Sequence, residues 1–260
     1  MAKSRRHNFV VHQNPQPWEQ HDKQRGVKGI KHNTWSPLPD EDSPDQRDPR
    51  DQRYVRRVKP RSENQEQFLT AINNKPLTIA LGPAGTGKTY LAITAAVEAF
   101  EAGTVSRIVL TRPAIEAGET LGFLPGDLEE KMAPYLRPLF DALGERMGSK
   151  RLKKMIQDGD IEIAPVAYMR GRTLNNAFVV IDEAQNCTYP QLKMLLSRLG
   201  WHSKMVVTGD PDQSDLLTGM SGLWEIARQL GGIENIGIVR LNETDIVRHP
   251  LVAEIIERLT

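Results

Sequence analysis

The chain has 260 residues, 39% of them hydrophobic, with 34 Lys and Arg against 33 Asp and Glu for a net charge of +1. That length suits one large domain plus tails. A single cysteine, Cys187, excludes an internal disulfide and fits a reducing compartment. No apolar run is long enough to span a membrane and the start lacks the apolar core of a signal peptide, so a cytoplasmic protein is expected.

Residues 1–60 carry a net +5 and the remainder −4. The first segment holds 7 of the 17 prolines and 4 of the 6 histidines, with few aliphatics and no useful periodicity. It is predicted to be a disordered, locally basic N-terminal arm. Its basic ends, Lys3 to Arg6 and Arg53 to Lys59, could touch phosphate backbones, although the acids between them oppose this. Trp18 and Trp35 are either incidental tail residues or anchors for a partner or for bases. The histidines lack metal-ligand spacing.

From residue 61 to 260 strand and helix patterns alternate, which predicts one domain with a mostly parallel sheet. Candidate strands are 77–81, 107–111, 161–164, 178–181, 204–208 and 236–241. Candidate helices are 64–74, 88–102, 127–144, 149–157, 189–199, 221–231 and 249–259. Ser149 is expected to cap its helix, and Gly103, Gly144 and Gly200 to end theirs. Pro134 and Pro138 are expected to kink or split the helix in which they fall. The long segment 116–140 lies between two strands, as coupling or substrate-contacting insertions do.

Gly82-Pro83-Ala84-Gly85-Thr86-Gly87-Lys88-Thr89 reads G-x-x-x-x-G-K-[ST]. The apolar run Leu77 to Leu81 precedes it and a helical pattern from Tyr90 follows. Strand, glycine-rich turn and helix is the setting of a phosphate-cradling loop. The glycines let backbone N–H groups approach phosphate, and the helix N-terminus adds partial positive charge. Lys88 is placed to reach the β- and γ-phosphates and the Thr89 hydroxyl to ligate Mg²⁺. The run from Gly82 to Tyr90 is therefore assigned to nucleotide binding.

Phe178-Val179-Val180-Ile181-Asp182-Glu183 is an apolar run ending in two carboxylates. A continuous apolar run reads as a buried parallel strand, and its carboxyl end is where open α/β sheets bind ligands. Asp182 is expected to hold Mg²⁺, which keeps most of its waters and takes few carboxylates. Glu183 is placed to act as general base toward the attacking water. A carboxylate directly after the metal aspartate, without any Asn-Lys-x-Asp guanine reader, favours ATP hydrolysis.

Gly209-Asp210-Pro211-Asp212-Gln213 follows the candidate strand that ends at Thr208, and five further segments stand out: Thr111-Arg112-Pro113-Ala114, Leu121 to Asp127, Ala167 to Leu174, Asp182-Glu183-Ala184-Gln185-Asn186, and Val247-Arg248-His249-Pro250. With the phosphate loop they resemble the PhoH family over about Gln65 to the C-terminus. The resemblance implies a three-layer α/β RecA-like P-loop ATPase core related to superfamily-one helicases. It implies that Gln65 reads adenine, whose N6/N7 edge suits a side-chain amide. The bland alternative for Gln65 is a polar helix-start residue. The resemblance also places Gln213 at the γ-phosphate or the attacking water, and Asp210 behind Mg²⁺.

Arg112, Arg170, Arg172 and Arg248 are the candidate cations for transition-state charge. Arg112 and Arg172 could instead contact a nucleic-acid backbone. Family assemblies resemble rings, so Arg248 could act across a subunit boundary in a homo-oligomer, with a hexamer favoured. The implied ligands are ATP and Mg²⁺, and the implied partner is RNA or single-stranded nucleic acid. The leading expectation is an ATPase linked to nucleic acid, with weak helicase activity within its reach. With one RecA-like domain, unwinding would require oligomers. The alternative is an ATP-gated oligomeric adaptor without strand separation. A small-molecule kinase is disfavoured, since no lid with paired arginines is seen.

Overall fold

The computed structural model describes residues 58–113, 128–217, 219–247, 251–252 and 258. Six strands are described: β1 (Leu77–Leu81), β2 (Arg107–Arg112), β3 (Ile161–Pro165), β4 (Ala177–Ile181), β5 (Lys204–Gly209) and β6 (Ile236–Arg240). They form one sheet in the order β3-β2-β4-β5-β1-β6, and every pairing is parallel. The helices are α1 (Glu63–Asn74), α2 (Lys88–Glu101), α3 (Leu128–Met147), α4 (Ser149–Asp158), α5 (Tyr189–Leu196) and α6 (Leu223–Leu230).

Alternation along the strands sends successive side chains to opposite faces. Ala80, Ile108, Leu110, Phe178, Val180 and Val206 pack into a core with Phe68 of α1, Leu91 of α2, Leu139 of α3 and Leu152 of α4. Ile79, Leu81, Val109, Val179, Ile181 and Val207 pack on the other side with Leu192 of α5 and Ile226 of α6. β1 and β4 are buried at every position, as their unbroken apolar runs require. The result is the three-layer α/β fold with a parallel central sheet expected from the sequence. Among the described residues no helix is long and apolar enough to cross a membrane.

Strand boundaries follow the sequence pattern to within a residue or so, while several helix signals resolve differently. α3 runs unbroken from Leu128 to Met147 through Pro134 and Pro138, and Gly144 lies inside it. Interior prolines cost about 3 kcal/mol each. Leu136, Leu139, Phe140, Leu143 and Met147 are all buried on one helical face. At about 1.5–3 kcal/mol per side chain, that stripe outweighs both prolines. Ser149 does not cap α4. Gly148, at φ 81°, takes the preceding position, and Ser149 is the first helical residue. Gly200 does not end α5, which stops at Leu196. Gly200 is instead in close approach to Leu174 and Asn175, where a Cβ would lie 2.6 Å from the Leu174 carbonyl carbon. Gly103 behaves as expected, following α2 in the left-handed conformation at φ 68°. The expected helix 249–259 falls mostly outside the described residues, as do nearly all of the arm 1–60 and the segment 116–127.

Candidate nucleotide site

The phosphate loop joins β1 to α2 at the carboxyl edge of the sheet. Gly87, in the left-handed conformation at φ 84°, stands before α2 and gives it no side-chain cap. The first N–H groups of α2 are thus left for a ligand, at the positive end of the helix dipole. Gly82, at φ 148°, leaves no room for a Cβ, which would lie 2.9 Å from the Leu241 carbonyl carbon.

Lys88 folds back over this loop. Its ammonium donates to the Gly82 carbonyl at 2.6 Å, the Pro83 carbonyl at 2.8 Å and the Thr86 hydroxyl at 3.5 Å. Burial pushes its pKa below the usual lysine value, against the opposing pull of Asp210, Glu183 and Asp182. A phosphate group entering the loop would take over the donors that these carbonyls now occupy.

The acidic strand end lies directly across from the loop. The Thr89 hydroxyl donates to Asp182 Oδ1 at 2.6 Å, and the Thr208 hydroxyl donates to the same oxygen at 2.7 Å. Asp182 is 1% exposed. Its second oxygen, Oδ2, is buried and receives no hydrogen bond. A buried carboxylate oxygen that receives no hydrogen bond, beside a threonine hydroxyl, fits Mg²⁺, which prefers hard oxygen donors and few carboxylates. Among the described residues no group of three or more His, Cys, Asp and Glu is placed to hold a metal ion.

Glu183 is a non-glycine residue in the left-handed conformation, with φ 52° and ψ 42°. Such a conformation costs on the order of 1–3 kcal/mol and persists only where the surroundings enforce it. Here both carboxylate oxygens are held. Gln185 Nε2 donates to Oε2 at 2.5 Å, and a nitrogen of Arg112 lies 3.5 Å from Oε1. The other terminal nitrogen of Arg112 lies 3.6 Å from Asp182 Oδ2. Gln185 Oε1 in turn accepts the Asp210 N–H at 3.0 Å, and the Asp210 carbonyl accepts the Gln213 N–H at 3.1 Å.

These groups open on a cleft of about 540 Å³. Lys88, Thr89, Asp182, Glu183 and Gln213 line it, together with Gln65, Tyr90, Ala84, Gly85, Gly87 and Asp210. Gly82, Pro83 and Thr86 are not among the lining residues; they accept from Lys88, which does line the cleft. The Gln65 amide is committed on both sides. Its Nε2 donates to the Thr86 carbonyl at 3.1 Å, and its Oε1 accepts the Arg61 N–H at 2.8 Å. It retains one N–H and one lone pair.

The candidate arginines separate. Arg112 joins the carboxylate pair. Arg172 is paired in two-pronged fashion with Glu162, a hydrogen bond that raises its pKa. Arg170 is exposed. Arg248 lies outside the described residues. Cys187 is fully buried, with its thiol pushed up to about 12 by burial, which leaves it no role as a nucleophile.

Sequence reasoning gave no role to Gln185, Thr208 or Arg61. Gln185 lies within the quoted Asp182 to Asn186 motif, and Thr208 sits at a strand's carboxyl end, so both carried a signal of position. Arg61 lines the cleft ahead of α1 without any such signal.

Comparison with known proteins bears on the family of the chain. A family model described as PhoH-like protein matches residues 57–260. The chain is 53% identical over 201 residues to the PhoH-like protein of Bacillus subtilis, covering 77% of this chain and 63% of that one. It is 52% identical over 201 residues to the PhoH-like protein of Synechocystis, covering 77% and 61%. It is 46% identical over 205 residues to Protein PhoH of Escherichia coli, covering 78% and 58%. The chain thus spans about three-fifths of the length of these curated relatives. Among solved structures, the large terminase of a thermophilic bacteriophage in complex with ADP has TM-score 0.46 at 13% identity, over 76% of this chain and 50% of that one. The Pif1 helicase of Candida albicans has TM-score 0.37 at 17% identity, over 76% and 43%.

Proposed function

The chain belongs to the PhoH-like protein family, and from that premise we propose that it is a cytoplasmic, Mg²⁺-dependent ATPase that couples hydrolysis to the binding and remodelling of RNA or single-stranded DNA. One observation carries the ATPase reading. The phosphate-loop hydroxyl of Thr89 bonds to Asp182, whose other oxygen is buried and receives no hydrogen bond, and Glu183 lines the same cleft.

Each residue then has a task. Backbone N–H groups from Gly85 to Thr89 cradle the phosphates, and Lys88 exchanges the loop carbonyls for β- and γ-phosphate oxygens. Thr89 and Asp182 hold Mg²⁺, with Asp210 behind them. When bound, the ion would neutralise phosphate charge as the γ-phosphoryl departs. Glu183 accepts a proton from the attacking water, and Gln213 orients that water. Gln65 and Tyr90 bind the nucleoside side, Gln65 with its remaining donor and acceptor. Arg248 supplies transition-state cation to the site of a neighbouring subunit in a ring, with a hexamer the favoured assembly.

A surface at the carboxyl edge supports the nucleic-acid part. Arg240, which ends β6 in register with Leu81 of β1, carries its guanidinium 4.7 Å from the ring centroid of the half-exposed Trp224. Ring and cation together suit a strand of bases and phosphates. The deciding measurement is ATP turnover with and without a panel of RNA and DNA strands. Stimulation by single strands supports coupling. Turnover indifferent to every strand would favour an ATP-gated oligomeric adaptor instead.

A further inference from the structure

We propose that Arg112 is the positioning residue of the hydrolytic carboxylate, holding Glu183 from the side away from the nucleotide. This rests on the reading of Glu183 as general base.

The position follows from the strand order. β2 lies beside β4, Thr111 is in register with Ile181, and the Asp182 N–H donates to the Thr111 carbonyl at 2.9 Å. The next residue on β2 is therefore set next to the acidic pair. Its two terminal nitrogens reach one carboxylate each, Asp182 Oδ2 at 3.6 Å and Glu183 Oε1 at 3.5 Å. A planar, permanently charged fork suits such a two-carboxylate contact better than a point charge does.

Glu183 needs the hold. Its backbone has left the strand in a left-handed turn, and its side chain is 36% exposed, so local packing does not fix the carboxylate. Arg112 on β2 and Gln185, tied to the end of β5 through the Asp210 N–H, take one oxygen each. The general base is thereby held from both strands that flank its own.

Arg112 does not line the cleft, whereas Asp182, Glu183 and Gln185 do. A cation for transition-state charge must face the phosphates, so Arg112 acts through Glu183. Its other nitrogen pairs with Asp182, so nucleotide affinity is measured beside turnover to separate the two contacts.

The experiment compares wild type, Arg112→Ala, Arg112→Lys, Glu183→Gln and the double variant Arg112→Ala/Glu183→Gln, all as the full chain. Steady-state and single-turnover ATP hydrolysis are measured, with binding of a fluorescent ATP analogue read in parallel. Arg112→Ala is expected to lower kcat by roughly 10- to 100-fold, the scale of a misplaced catalytic group. KM and analogue affinity should stay within about twofold. Arg112→Lys should recover part of the rate, and it serves as the test variant if the alanine protein does not fold. In the Glu183→Gln background, Arg112→Ala should change the rate by less than about twofold, because the group it positions is gone. A kcat for Arg112→Ala within about threefold of wild type overturns the proposal. So does its full effect persisting beside Glu183→Gln. If Glu183→Gln itself turned over at the wild-type rate, the reading of Glu183 would fall first, and the proposal with it.

Discussion

Replacing Glu183 by glutamine is the cleanest perturbation of the hydrolytic step. The substitution keeps size and shape, and glutamine accepts hydrogen bonds through its remaining carbonyl oxygen. The Gln185 contact can therefore persist on that oxygen. The Arg112 ion pair to Oε1 is lost, but Arg112 keeps Asp182 as its counter-charge. The side chain is partly exposed, so no unpartnered charge is left buried. Thermal stability should change little, since isolated partly exposed ion pairs contribute about 0–1 kcal/mol. Turnover should change a great deal. A general base contributes about 10²- to 10⁴-fold, which raises the barrier by about 3–5 kcal/mol. ATP affinity should hold, because Lys88, Thr89, Asp182 and the loop N–H groups are untouched. Phosphate release measured under saturating ATP and Mg²⁺, beside titration with a fluorescent nucleotide, reads both quantities. Turnover within about threefold of wild type would show that the water loses its proton elsewhere.

Lys88→Ala should cost nucleotide binding or turnover by at least about 10²-fold, the scale of a lost charge-stabilising donor, with circular dichroism unchanged; wild-type turnover would sink the assignment of the loop. Asp245 gives a pH-dependent test of the fold. Burial opposes its ionisation, but hydrogen bonds from Ser62, the Asn242 N–H and Asn64 hold its pKa below the ordinary aspartate value. With the folded pKa lowered, its stabilisation is complete above the ordinary value and disappears as pH falls through the folded one. Asp245→Asn should lower stability by roughly 1–3 kcal/mol at neutral pH and flatten the acid side of the urea-midpoint profile; an unchanged profile would refute this. Arg248→Ala should bind ATP without turning it over, and mixing it with Lys88→Ala protein should restore activity at mixed interfaces; no recovery in proven co-assemblies would assign the arginine to its own subunit or to structure.

What could be read from the sequence, and what could not, divides along local and non-local lines. The strands were legible because a five-residue apolar run has one plausible use in an alternating pattern. The phosphate loop and the acidic strand end were legible because each brings its chemistry within a few consecutive residues. The α3 prolines misled because a local cost was weighed without the buried stripe from Leu136 to Met147, which depends on the sheet beneath it. Gly200 misled because its smallness serves a contact with Leu174 and Asn175, some 25 residues away in sequence, and not a helix end. The hold of Arg112 on Glu183 was out of reach for the same reason. A list of strands does not say that β2 and β5 flank β4, and the contact exists only because they do.

That strand order also brings separated parts of the chain onto the phosphate loop. β5 separates the loop strand β1 from the acidic strand β4, so Thr208 of β5 can bond Asp182 while Gly209 accepts the Gly82 N–H at 3.2 Å. On the other flank, the Leu241 N–H donates to Leu81 and the Val247 N–H donates to the Gly85 carbonyl at 3.0 Å, within the loop itself. Gln65 ties α1 to the same loop through Thr86, and Asn64, its neighbour, donates to Asp245. Three separated stretches therefore bear on one eight-residue loop: the strand end that leads to Gln213, the start of α1, and the segment that leads to Arg248. A phosphate that displaces Lys88 from the Gly82 and Pro83 carbonyls changes the bonding of the loop on which all three rest. A change in which oxygens the Lys88 ammonium serves would therefore be felt at all three contacts without any rearrangement of the sheet.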